Sequence, residues 1–211
     1  MQTANFQKEF VQLPSIKDHV IFLMAVFCFW FSTYIYIPTF GIYLEIIDLS
    51  YFSIGLILGG YGVTQILIRF PLGVFSNKVK VKKHLLMFAF LMALISSIIL
   101  VFFTSFFMIL LSRLLAGITA SMWVVVTILY SQYFTGRQTS RAMSILQLLT
   151  VLAQFISMVI CSLLIELYGW DFPFWVGAFA ALLGFVLVIF IRDFTINESS
   201  NFKVSHIVKE T

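Results

Sequence analysis

The sequence predicts an all-α membrane protein of six transmembrane helices, on three observations. Of 211 residues, 61% are hydrophobic and only 10% are charged, with a mean hydropathy of +1.04. A soluble domain carries about 25% charged residues, so there is too little polar material here to wet a globule, and a soluble enzyme is excluded. The second observation is a series of long apolar runs, each near the ~20 residues that a helix needs to cross the hydrocarbon core. The third is that the basic residues fall on one side of those runs.

Six spans follow, near Val20–Leu44, Ser53–Ser76, Leu85–Phe103, Phe106–Tyr130, Met143–Leu164 and Pro173–Ile191. Continuous runs of this length argue for helices, because barrel strands would alternate over ~10 residues. Only Thr104 and Ser105 separate the third and fourth spans, and a tight turn is expected there, since a single helix would be too long. Pro38 lacks an N–H and crowds the preceding turn, so the first span is expected to kink. Residues 1–18 are polar and no cleavable signal is evident, so the first helix is expected to serve as its own insertion address.

Charge tests this count. Lys8 and Lys17 precede the first span; Lys78, Lys80, Lys82 and Lys83 follow the second; Arg137 and Arg141 follow the fourth; Arg192, Lys203 and Lys209 follow the sixth. Of the 13 Lys and Arg residues only Arg69 and Arg113 lie within spans, which leaves 11 on one side, whereas the other side holds Glu45, Asp48, Glu166 and Asp171. The positive-inside rule makes the basic side cytoplasmic. The expected organisation is a cytoplasmic segment over 1–19, a six-helix bundle over 20–192 and a polar cytoplasmic tail or linker start over 193–211, in the cell membrane. The lysines and arginines sit in separate short loops, so no nucleic-acid surface is read from the net charge of +4. Cys28 and Cys161 lie in apolar runs without CxxC spacing or a histidine partner, and no metal or cofactor is indicated.

Three helices carry stripes of small or polar residues at helical spacing: Gly55, Gly59, Gly62, Arg69 and Gly73 in the second; Arg113, Gly117, Ala120, Ser121, Val124 and Thr127 in the fourth; Ser144, Gln147, Val151, Gln154 and Cys161 in the fifth. Small residues let helices approach closely in lipid, and packing is the expectation for the glycines. For Gln147 and Gln154, packing and a wet cavity both stay open. Arg113 lies about two turns, ~10 Å, inside the outer end of its helix. A charge at the bilayer centre costs about 2.5–3.5 kcal/mol, and such residues face a bundle interior or cavity. Arg113 is therefore a candidate substrate contact, against snorkelling or a structural bond to a carbonyl. Arg69, nearer the cytoplasmic face, is expected to be structural or to act in gating. The first helix adds Trp30, Tyr34 and Tyr36, which suit either a cavity or the core.

The loop after the second span carries a resemblance. Gly73, Lys78, Lys82 and Lys83 match the signature between helices two and three of the major facilitator superfamily, with Asn77 where that signature has an acid and Lys80 where it has a second glycine. Arg113-Leu-Leu-Ala-Gly117 resembles the family's pattern in helix four, and Tyr168-Gly169-Trp170 before the sixth helix is similar to its turn there. The resemblance implies an N-terminal bundle of two three-helix inverted repeats, a substrate cavity lined by helices one and four, and alternating access between two six-helix bundles. On that basis the cavity candidates are Arg113, Tyr34, Trp30, Thr127, Gln147 and Gln154. Gly73, Asn77, Lys78, Lys82 and Lys83 form the cytoplasmic loop motif, and Arg69, Gly117 and Pro38 are structural or gating positions. The expected partners are the bilayer, a small-molecule substrate and a second six-helix bundle. A truncated or non-transporting six-helix protein, such as a receptor or assembly partner, stays open. No catalytic constellation is visible. The fifth helix lacks the glycine–proline signature of drug–proton antiporters, and the deep arginine points to an organic anion or polar metabolite.

Overall fold

A computed structural model of the chain describes residues 14–75, 82–134 and 138–191. These form eight helices: α1 (Ile16–Tyr34), α2 (Ile37–Ile46), α3 (Tyr51–Phe75), α4 (Lys82–Phe102), α5 (Phe106–Ser121), α6 (Trp123–Ser131), α7 (Thr139–Tyr168) and α8 (Phe172–Phe190). Six stretches are long and apolar enough to cross a membrane, with α1 and α2 sharing the first and α5 and α6 the fourth. The short connection over 103–105 separates the third from the fourth, as the two polar residues there require.

Packing repeats between the two halves of the bundle. In the first triplet of spans, α1 opens the chain, α3 is second and α4 third; α5, α7 and α8 hold those places in the second triplet. The main contacts are α1 with α7 and α8, α5 with α3 and α4, and α4 with α8. Exchanging the triplets maps this set onto itself. Burial follows the same exchange: 56% and 61% of the most apolar window is buried in the first and fourth spans, 39% and 44% in the third and sixth, and 11% and 22% in the second and fifth. Because each triplet has an odd number of spans, the two cross the membrane in opposite senses, which is the inverted-repeat architecture.

Both central spans are broken, and for a related reason. Ahead of the first break, Ser32 donates to the Phe29 carbonyl at 3.0 Å and Thr33 to the Phe29 and Trp30 carbonyls at 3.2 and 3.1 Å. Pro38, in the first turn of α2, has no N–H to return to the Tyr34 carbonyl. Ahead of the second break, Thr119 donates to Leu115 at 3.2 Å and Ser121 to Ile118 at 2.6 Å, and the Met122 N–H then bonds Thr119 in a tighter turn. Hydroxyls bonded back to the preceding turn bend helices. The kink expected from Pro38 is present; the break at Met122 has no proline.

Small residues and reciprocal hydrogen bonds close the bundle. A β-carbon on Gly177 of α8 would meet the Ser32 carbonyl and the Ile35 side chain, each at 3.1 Å, so this glycine seats the first break. Gly184 lies against the Phe90 ring of α4. Between α4 and α5, Ser96 donates to the Ser112 carbonyl at 2.9 Å and Ser112 to the Ser96 carbonyl at 3.0 Å. Such bonds between helices in lipid average ~0.6 kcal/mol, so their main effect here is to fix the register of α5. At the end expected to be cytoplasmic, Lys83 Nζ donates to the Ile189 carbonyl at 2.6 Å and caps α8. Gly184→Leu is expected to lower the thermal unfolding midpoint, and adding Phe90→Ala is expected to recover part of the loss; no recovery would mean that Phe90 is not what Gly184 accommodates.

Candidate functional site

Fixed in register by Ser112, the next residue, Arg113, turns toward α2 and α3. Its side chain is 3% exposed, so it does not snorkel. The guanidinium carbon lies 4.7 Å from the ring centroid of Tyr61, 5.2 Å from that of Phe40 and 6.0 Å from that of Tyr36. Among the described residues Nε and Nη1 are buried without a hydrogen-bond partner, so neither makes the structural bond to a carbonyl. Among the described residues no carboxylate pairs with Arg113, and the nearest acids in the sequence of the first span, Asp18 and Glu45, lie at its two ends.

The magnitudes show what this cage does. A desolvated cation over an aromatic face gains about 2 kcal/mol, so the two nearer faces, Tyr61 and Phe40, already match the insertion cost of about 2.5–3.5 kcal/mol. The rings do not satisfy the N–H donors, and each buried donor left unmet costs about 1–3 kcal/mol. The charge is therefore tolerated but is still short of acceptors.

Gly117, one turn from Arg113 on α5, sets the cage. A β-carbon there would meet the Tyr61 carbonyl at 2.6 Å and the Thr64 β-carbon at 2.9 Å. The Arg113–Gly117 spacing thus pairs a charge with the gap that lets the Tyr61 turn of α3 approach it. In the sequence only its position between Gly60 and Gly62 marks Tyr61. It lies within electrostatic reach of Tyr34, Tyr36, Arg113 and Arg69.

A second group adjoins the first along α1. Trp30 packs edge-on to Tyr34 at 5.6 Å and to Trp123 of α6 at 5.2 Å. Its Nε1 is also buried without an acceptor. Trp123 opens α6 immediately after the Met122 break, and Tyr34 and Tyr36 flank the other break. Thr127 lies one turn beyond Trp123, but its hydroxyl donates within its own helix, to Val124 at 2.8 Å.

Residues 22–206 match the profile of the Major Facilitator Superfamily. The chain belongs to that superfamily. It is similar to an uncharacterized transporter of Buchnera aphidicola subsp. Schizaphis graminum (strain Sg), with 27% identity over 92% of this chain and 49% of the relative. It is also similar to the uncharacterized transporter BU466 of Buchnera aphidicola subsp. Acyrthosiphon pisum (strain APS), with 26% identity over 68% of this chain and 36% of that relative. The chain spans half or less of the length of these curated relatives.

The remaining candidates lie apart from Arg113. Gln147 and Gln154 sit on α7, which packs on α1 rather than α5; Gln147 lines an open groove of about 580 Å³ formed by α7 alone, with Ser140, Met143, Ser144, Leu148 and Val151. Arg69 and Pro71 are exposed on α3. Of the residues expected to form the loop motif, Gly73 lies near the end of α3 and Lys82 and Lys83 begin α4, whereas Asn77 and Lys78 lie outside the described residues. Along the α3 stripe, β-carbons on Gly55, Gly59 and Gly62 would meet nothing within 4 Å among the described residues. That face is uncovered by the described residues.

Gly117→Ala and Gly41→Ala separate packing from propensity. Both gain up to about 1 kcal/mol of helix propensity, and a β-carbon at Gly41 meets nothing within 4 Å. Thermal unfolding is expected to show Gly41→Ala neutral or stabilising and Gly117→Ala destabilising; equal effects would remove Gly117 from its role.

Proposed function

We propose that this chain is the N-terminal bundle of a secondary transporter that moves a small solute across the cell membrane by alternating access, with Arg113 at the solute site. The observation that carries this reading is the buried Arg113 guanidinium, held by aromatic faces between two broken helices and lacking both a counter-ion and acceptors among the described residues. Intramembrane charges of this kind mark solute pathways. Tyr61, Tyr36, Phe40, Trp30 and Tyr34 complete the wall, Gly117 positions Tyr61, and the breaks at Tyr36 and Met122 give the two central helices places to bend. Arg69 and the loop motif of Gly73, Asn77, Lys78, Lys82 and Lys83 act at the cytoplasmic gate.

A second six-helix bundle, from the same polypeptide or another copy, covers α3 and α7. Support comes from the low burial of these two spans, from the open glycine face of α3 and from relatives about twice as long. Both termini are cytoplasmic, because 11 of the 13 basic residues then obey the positive-inside rule.

The test is solute accumulation in cells overproducing the full-length protein, read by untargeted mass spectrometry against cells without it. Arg113→Ala is expected to keep its abundance in the membrane and to cancel the difference. A lost charge-assisted hydrogen bond of about 1.5–3 kcal/mol corresponds to roughly ten- to a hundred-fold. Accumulation that persists in the variant would remove Arg113 from the site.

A further inference from the structure

The three buried side-chain atoms without a partner among the described residues are Arg113 Nε, Arg113 Nη1 and Trp30 Nε1. All three are donors; arginine and indole have no acceptor to offer. A ligand that satisfies them brings only acceptors, and the fixed positive charge at one of the two places asks for an anion. Arginine's planar fork matches a carboxylate with two parallel bonds. No Asp or Glu lies in the interior of any described span to repel that charge.

The spacing along the first span gives a length. Trp30 precedes Tyr36 by six positions and Phe40 by ten, and both of those rings stand against the guanidinium. At 1.5 Å per residue the positions of Trp30 and of these two rings are roughly 9–15 Å apart along the span, with the break between α1 and α2 lying between them. The Tyr34 ring packs on Trp30 and the Tyr61 ring on the guanidinium, each apolar apart from its hydroxyl. Tyr61 covers the guanidinium without accepting a hydrogen bond from it, so an oxyanion beside the ring supplies the bonds that the ring does not give.

We propose that the solute is an extended organic anion: a carboxylate seated on Arg113, an apolar or planar middle against Tyr34 and Tyr61, and a second acceptor received by Trp30 Nε1. This deepens the transport reading and rests on it for the word solute; the binding site itself is tested separately.

The test uses the full-length protein in nanodiscs and follows its thermal unfolding. The probes are straight-chain dicarboxylates of four to ten carbons, the matching monocarboxylates and the matching diamides. The acids are expected to stabilise the protein and the diamides to have no effect, with the largest shift for dicarboxylates whose terminal oxygens are roughly 10 Å apart. Arg113→Gln is expected to weaken the best acid by roughly ten-fold or more, and Arg113→Lys by less. Trp30→Phe is expected to erase the preference for dicarboxylate over monocarboxylate while binding survives. Diamides that act as well as acids, or Arg113→Gln that binds like wild type, overturns the proposal. If Arg113→Gln does not fold, the acid–diamide comparison and the lysine variant still decide. A carboxylate from the second bundle is the other source of the same chemistry. In that case Arg113→Gln lowers the midpoint of the ligand-free protein and no acid shifts the wild type, which also overturns it. Acids that bind but are not exchanged across proteoliposomes would leave the site standing and sink the transport reading; solute movement indifferent to Arg113 would do the reverse.

Discussion

A permanent positive charge sealed inside an apolar bundle is the constraint from which most of this structure can be understood. Arg113 cannot lose its proton, and at 3% exposure it cannot reach water. Among the described residues aromatic faces stand in place of a counter-ion, and they work only if they come close. That closeness depends on a missing side chain: Gly117 lets the Tyr61 turn of α3 approach α5 where any β-carbon would collide with backbone. The reciprocal Ser96–Ser112 pair sets the rotation that aims the next residue at that gap. Register, close approach and charge are one arrangement.

The same residues lie where the inverted repeat is least regular. Each repeat begins with a broken helix, and each break follows hydroxyls that bond back into the preceding turn. Packing elsewhere is regular and close, through Gly177, Gly184 and the capped end of α8. The bundle thus combines a rigid frame around α4 and α8 with two central helices that bend beside the buried donors. The second and fifth spans remain largely uncovered by the described residues.

Much of this was legible in the sequence because lipid imposes strong rules. Apolar run length set six helices, the two polar residues between the third and fourth spans set their turn, and Pro38 announced the first break. Arg113 and Gly117 stood out because charge is rare in hydrocarbon and because their spacing puts them on one face. Tyr61 did not, since a tyrosine among apolar residues has no periodic signal and its role depends on which turn of α3 meets Gly117. The break at Met122 was hidden because serine and threonine bend helices only in some rotamers. The glycine spacing of α3 marks a small-residue face, and its β-carbon positions at Gly55, Gly59 and Gly62 are open among the described residues: spacing shows that a face is small, not what covers it.

The central claim is that the Tyr61 ring holds the Arg113 charge, and a double-mutant cycle tests it most directly. Thermal stability would be measured for wild type, Arg113→Met, Tyr61→Leu and the double variant in one detergent or nanodisc preparation. A coupling energy of about 0.5–2 kcal/mol, the range for a cation over an aromatic face, is the result this account predicts. Additive losses, with no coupling beyond error, would contradict it and leave Tyr61 as a neighbour of the charge rather than its support.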